Sequence, residues 1–159
     1  LGSGTILREV IAAAEILSKE FQIGADVWSV TSFNELRKDS ESVARHNRLQ
    51  LGKKPRHSHV AKCLEGRAGP VIAATDYIKL FADQIRSDIK QPYYVLGTDG
   101  FGRSDTRESL RDFFEVDAKM IAYTALNALS ENGQWPKEKL ESAMKALKID
   151  PKRQDPITV

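Results

Sequence analysis

The chain has 159 residues, 41% of them hydrophobic, enough for one domain with a proper core and too few for two ordinary ones. Lys and Arg number 24 against 22 Asp and Glu, and a formal charge of +2 is too small an excess for the electrostatic footprint of a nucleic-acid binder. The single cysteine, Cys63, excludes an internal disulfide and a cysteine-built zinc site, and no apolar run approaches the roughly 20 residues of a membrane span, so a soluble protein is expected.

The chain opens Leu1-Gly-Ser-Gly-Thr without an initiator Met, on a turn that ordinarily follows a strand; it reads as a piece of a longer polypeptide. Leu7, Val10, Ile11, Ala14, Leu17 and Phe21 recur at helical spacing and predict an amphipathic helix over Ile6 to Phe21, stopped by Gly24. Ala25 to Val30 is β-prone and closes a strand, helix, strand unit if a strand lies upstream of Leu1, which implies a parallel sheet. Ser32-Phe-Asn-Glu35 has capping-box spacing, predicting a short helix through Leu36 and a second helical stretch from about Ser40 to Leu49. Leu51 to Ser58 is basic and broken by Gly52 and Pro55, an exposed connection, and His59 to Leu64 forms one helical turn. Val71 to Thr75 reads as a short buried strand, followed by a helix capped by Asp76 with Ile78, Phe81 and Ile85 inward.

The stretch from Tyr93 to Phe114 organises the rest. Tyr93 to Leu96 is a β-favouring run, Gly97, Gly100 and Gly102 punctuate a loop, and Asp105 followed by Glu108 has capping-box-like spacing for a helix whose Leu110, Phe113 and Phe114 face the sheet. In open α/β sheets such a loop lies at the carboxyl edge, where ligands and partner surfaces are met. Asp99, Phe101, Arg103 and Asp105 alternate charged and aromatic side chains there and are candidates for an interface. Asp117 to Asn132 then predicts a helix with Ile121, Ala125, Ala128 and Leu129 inward, ended by Gly133. Pro136 opens a last helix with Leu140, Ala143, Met144 and Leu147 inward. One domain is thus expected over residues 1–150, with 151–159, broken by Pro151 and Pro156, a loosely held tail.

No residue group carries a strong chemical signal. Gly2-Ser-Gly4 lacks both the Lys-Ser/Thr of a phosphate loop and a full G-x-G-x-x-G, and reads as a tight turn. His57 and His59 lack a neighbouring carboxylate in their segment, His46 lies on a polar helix face, and Cys63 has only Lys62 beside it, so each reads as a structural or solvated residue. Asp99 and Asp105 flank the loop as a magnesium pair could, but turn and cap roles account for both.

Leu1-Gly-Ser-Gly-Thr-Ile-Leu-Arg-Glu-Val10, Val30-Thr-Ser-Phe-Asn-Glu-Leu-Arg37, Ala74-Thr-Asp-Tyr-Ile-Lys-Leu-Phe-Ala-Asp-Gln-Ile85 and Val95-Leu-Gly-Thr-Asp-Gly-Phe-Gly-Arg-Ser-Asp105, followed by Phe114-Glu-Val-Asp117, together carry a resemblance. They are similar, in the same order, to the carboxyl-terminal domain of the homodimeric first component of the bacterial pyruvate dehydrogenase complex. The resemblance implies a three-layer α/β/α domain with a mostly parallel sheet, transketolase-like. It implies a parent oxidoreductase, cytoplasmic and linking glycolysis to acetyl-CoA. That enzyme decarboxylates pyruvate with thiamine diphosphate and magnesium, and reductively acetylates the lipoyl group of the dihydrolipoyl acetyltransferase component. The family's cofactor, metal and catalytic residues belong to two upstream domains, so none maps onto this chain, which is expected to be inactive alone and to support the dimer. Arg56-His-Ser-His-Val60 departs from the family, which more usually has apolar residues there. A related 2-oxo acid dehydrogenase, or a free-standing α/β module using the Gly2 or Gly97–Gly102 loop for a nucleotide, is the other expectation.

Overall fold

Four short runs pair into one sheet in the computed structural model, which describes residues 1–159: β1 (Gly2–Ser3), β2 (Ser29–Val30), β3 (Val71–Ala74) and β4 (Tyr93–Leu96). The order is β2-β1-β3-β4 and every pair is parallel, with Gly2 opposite both Ser29 and Ala74, and Val71 to Ala74 opposite Tyr93 to Leu96. Parallel strands need long crossovers, and helices supply them. These are α1 (Leu7–Phe21), α2 (Phe33–Leu49), α3 (His59–Leu64) and α4 (Lys79–Asp83), followed after β4 by α5 (Arg107–Phe113), α6 (Ala118–Glu131) and α7 (Leu140–Ala146).

Side chains alternate across a strand, so β3 feeds two cores. Ala74 joins Ile6, Val10, Leu17, Ile121, Leu126 and Ala143 on the α1, α6 and α7 side. Ala73 joins Val30, Phe33, Leu64, Ile85 and Tyr93 on the α2, α3 and α4 side. The result is the expected α/β fold with helical layers on both faces of a parallel sheet. Burying a Leu, Ile or Val side chain contributes about 1.5–3 kcal/mol, and neither core could form without the sheet between them.

Several boundaries differ from the sequence-based expectation, each for a local reason. The strand expected over Ala25 to Val30 pairs only at Ser29 and Val30. Helix α1 ends at Phe21 because Gln22, not Gly24, takes the left-handed conformation, at φ 61°. The two expected helical stretches after Ser32 are one helix, α2: Ser32 accepts from Glu35 N–H at 3.2 Å, and the Lys38–Glu35 and Arg37–Glu41 pairs, each 2.6 Å, span the expected break. Helix α6 begins one residue later than expected, at Ala118, because Asp117 caps it by accepting from Met120 N–H at 2.9 Å, while Gly133 ends it at φ 69°, as expected. The face it buries is Ile121, Ala122, Leu126 and Ala128, with Leu129 only partly covered.

Glu9 ties distant parts together. Its carboxylate accepts from Arg111 at 2.7 Å and from Ala118 N–H at 3.0 Å, joining α1 to α5 and to the first turn of α6. The tail is docked, contrary to expectation. Arg153 donates to the Asp112 carbonyl, its Nε lies 3.2 Å from Glu115 Oε1, and the Pro156 carbonyl lies against Gly100.

Strand β1 lies inside the sheet from its first residue. The Leu1 ammonium donates to Ile72 O at 2.7 Å, Leu1 O accepts from Ala74 N–H at 2.9 Å, and burial pushes the ammonium down from its ordinary 8.0 to about 6. The unfolded chain therefore binds more protons than the folded one between those values. Stability of the 159-residue chain with a free amino terminus should rise by about 2 kcal/mol from pH 6 to pH 8 on this account. Urea denaturation across that window checks it, with the amino-acetylated chain, which lacks the titration, as the flat control.

Candidate functional site

The carboxyl edge of the sheet brings together the ends of β1, β3 and β4. Strand order reverses between β1 and β3, the place where a doubly wound sheet ordinarily opens a ligand crevice. Here that place is bridged by the protein's own side chains. Ser3 Oγ donates to Thr75 Oγ1 at 2.8 Å in a buried contact, Thr75 Oγ1 also accepts from Tyr77 N–H at 3.2 Å, and Thr5 Oγ1 approaches Asp76 Oδ2 at 3.4 Å.

Gly4 adopts φ 53°, and a Cβ placed on it would lie 3.4 Å from Asp76 Oδ1. A carboxylate thus faces the Gly2-Ser-Gly4 turn, and a phosphate there would meet like charge in place of a cradle. Asp76 is not the helix cap expected of it. Helix α4 starts later, at Lys79, whose N–H donates to Asp99 Oδ2 at 3.2 Å, so the cap comes from the neighbouring loop. The shifted start buries Ala82 and Ile85 and leaves Ile78 and Phe81, both expected inward, exposed. Tyr77 and Leu80 join them, 61% and 66% exposed, and Tyr77 packs its ring 5.4 Å from that of Phe81. Sequence reasoning missed this apolar surface because Asp76 looked like a cap and set the helix in the wrong phase.

The loop after β4 is laced to this segment. Thr98 N–H donates to Tyr77 O at 2.9 Å and Thr98 Oγ1 to Asp76 O at 2.9 Å. Gly97 is required by that approach, since a Cβ on it would stand 2.7 Å from Tyr77 O and 2.8 Å from Lys79 N. Of the four interface candidates, Asp99 is half-buried and occupied as the α4 cap, while Phe101 is 81% exposed. The Arg103 guanidinium lies 4.2 Å above the Phe113 ring, a contact worth about 0.5–1 kcal/mol at an exposed site. Asp105 accepts from Thr106 N–H at 2.6 Å and does not cap α5; Thr106 does, accepting from Ser109 N–H at 3.2 Å. The structure thus places Asp99 at the start of α4, leaves Phe101 exposed on the loop, and stacks Arg103 on α5.

The remaining candidates lie apart. His59 N–H donates to Asp39 Oδ2 at 2.6 Å, and its Nε2 faces Cys63 Sγ at 3.4 Å on the next turn of α3, away from the carboxyl edge. His57 is exposed on the preceding loop, and no three His, Cys, Asp or Glu side chains converge as a metal site. The imidazole of His46 is pushed down first by desolvation and then by Arg56 and Lys53. Asn47 clamps the basic loop by its amide, accepting from Arg56 N–H at 2.8 Å and donating to Arg56 O at 2.9 Å.

The family model described as transketolase-like TK C-terminal domain matches residues 1–117. Among curated proteins, the pyruvate dehydrogenase E1 component of Pseudomonas aeruginosa is 55% identical over 158 residues, 99% of this chain and 18% of that protein. That of Cupriavidus necator is 50% identical over 159 residues, 100% of this chain and 18% of that protein. That of Escherichia coli K12 is 46% identical over 157 residues, 98% of this chain and 18% of that protein. The chain therefore spans under a fifth of the length of the relatives it matches.

The close approach at Gly97 and the cap at Asp99 have separable costs. Gly97→Ala should destabilise by about 1–3 kcal/mol, because backbone atoms must move to admit the methyl group. Asp99→Ala should cost about 1 kcal/mol through the lost cap. Denaturant midpoints of the two variants check both; an unchanged midpoint for Gly97→Ala contradicts the close approach.

Proposed function

Since this chain belongs to the transketolase-like carboxyl-terminal domain family, we propose that it is the carboxyl-terminal domain of a pyruvate dehydrogenase first component, a single domain over residues 1–150 closed by the tail 151–159. The observation that carries the reading is 55% identity over 99% of the chain to a protein named pyruvate dehydrogenase E1 component. In this reading the parent enzyme is a cytoplasmic homodimer. It decarboxylates pyruvate with thiamine diphosphate and magnesium and passes the acetyl group reductively to a lipoyl group of the dihydrolipoyl acetyltransferase component.

The residues of this chain do not fit that cofactor. A diphosphate needs converging amides and cations, and the glycine turn after β1 faces the Asp76 carboxylate. Magnesium needs several converging oxygen ligands, while Asp99 and Asp105 each hold a backbone N–H of a different segment and no further carboxylate joins them. The Asp76 carboxylate also opposes a nucleotide at the Gly2 turn of a free-standing module. What this chain contributes is architecture: a rigid sheet whose carboxyl edge presents Tyr77, Ile78, Leu80, Phe81 and Phe101 for docking against the rest of the parent dimer. The run Tyr77, Ile78, Leu80 and Phe81 exposes large apolar side chains together, as a covered surface does. In this reading Phe101, exposed on the loop after β4, is the anchor, Asp99 holds the loop in place, and Arg103 and Asp105 form a charged rim.

The isolated chain should neither bind thiamine diphosphate in titration calorimetry nor release CO2 from pyruvate; micromolar cofactor binding contradicts this division of labour. In the full-length enzyme, Phe101→Ala should raise the dimer dissociation constant tenfold or more, about 1.4 kcal/mol, as loss of a central aromatic anchor does. Arg103→Ala should do less, its guanidinium already being engaged by Phe113. Sedimentation measures both, and two unchanged constants remove the carboxyl edge from the dimer interface.

A further inference from the structure

At the opposite, amino-terminal edge of the sheet an apolar cavity of about 670 Å3 lies between β2 and β3. Trp28 forms one wall and Val71 the other, the floor is built by Val10, Ala13 and Ile121 from α1 and α6, and Leu1 stands at its head. This is the line of β1 itself. Gly2 N–H donates to Trp28 O at 2.9 Å on one side, and the Leu1 nitrogen donates to Ile72 O at 2.7 Å on the other. In a parallel ladder alternate residues address opposite neighbours. Val71 and Thr75 donate to the β4 side, at 2.8 Å to Pro92 O and 3.1 Å to Leu96 O, whereas Ala74 donates to Leu1 O at 2.9 Å. Ile72 N–H therefore points to the β1 side, one step ahead of Leu1.

We propose that the segment directly upstream of Leu1 in the full-length polypeptide occupies this slot as a continuation of β1, with an apolar residue immediately before Leu1. The register decides the placement. Gly2 pairs with Ala74, so the residue before Leu1 stands opposite Ile72 and shares its face, over Val10, Ala13 and Ile121; the residue before that stands opposite Val71. A central parallel strand is covered on both faces and reads as a continuous apolar run, which the lining of the slot matches. The occupant is a segment of the same chain because the slot opens where Leu1 is reached, and the relatives carry more than four-fifths of their length outside the matched region. The inference rests on the proposed membership of a longer polypeptide, but not on its reaction or its dimer.

The test uses the full-length protein. With Cys63→Ser as background, a cysteine two positions upstream of Leu1 and Val71→Cys should form a disulfide on mild oxidation, since register neighbours in adjacent strands lie within its Cα span of about 4.4–6.8 Å. Pairing the same upstream cysteine with Ile72→Cys should fail, that side chain being on the other face. Hydrogen exchange at the Ile72 amide should be roughly a hundredfold or more slower than in an unstructured chain, at every protein concentration. Replacing the residue before Leu1 by Asp should speed that exchange and lower Tm. Free exchange at Ile72, a disulfide with Ile72→Cys in preference to Val71→Cys, or protection that appears only as protein concentration rises, the mark of a second copy in the slot, overturns the proposal. Because none of these readouts depends on turnover of pyruvate or on dimerisation, an inactive or monomeric protein with the Val71 disulfide intact counts against the functional reading alone.

Discussion

The backbone of Gly97 runs so close to that of Tyr77 and Lys79 that no side chain fits between them, and the carboxyl edge of the sheet is organised by that contact. It lets Thr98 bond the Tyr77 carbonyl and Asp76 carbonyl, and brings Asp99 to the free N–H of Lys79. Helix α4 is only five residues long and has no side-chain cap of its own. A helix that short is marginal without packing and capping from outside. The loop after β4 and the start of α4 therefore stand or fall together. The exposed Tyr77–Phe81 surface is a consequence of where the cap places the first turn.

The two edges of the sheet have opposite characters. At the carboxyl edge Ser3 bonds Thr75 and Thr5 approaches Asp76 across the strand-order reversal, and a carboxylate faces the glycine turn. At the amino edge the walls are apolar and a ladder N–H is directed between them. A buried strand in a parallel sheet gains from apolar cover on both faces and from partners on both sides, which is why the amino edge fits a continuing strand and the carboxyl edge fits an interface.

Long-range ties hold the loop-bearing half in place. Glu9 bridges α1 to Arg111 and to the start of α6 from positions more than a hundred residues apart, in a partly buried setting where an ion pair with an added backbone bond is stronger than the exposed pairs along α2. The tail extends the same arrangement: Arg153 engages Asp112 and Glu115, and Pro156 reaches Gly100, whose φ of 116° and close carbonyl contact both demand glycine. Composition alone made the tail look free, because two prolines end a helix whether or not the segment beyond it is docked.

Local chemistry was legible wherever neighbours in sequence are also neighbours in space. Ser32 as a cap, Gly133 as a helix stop, the helical periodicity of α1 and α6, and the β-favouring runs at Val71 and Tyr93 all depend on interactions within about four residues, and the resemblance in the matched stretches extended that reading to the fold. What the sequence could not decide were contacts between segments far apart along the chain. Asp76 had a cap's local signature and Asp99 did not, yet Asp99 caps α4 from twenty residues away, because the parallel pairing of β3 and β4 brings their carboxyl ends side by side. The phase of α4, the apolar surface at the carboxyl edge and the slot on the line of β1 were all set by strand pairing, which no local pattern encodes.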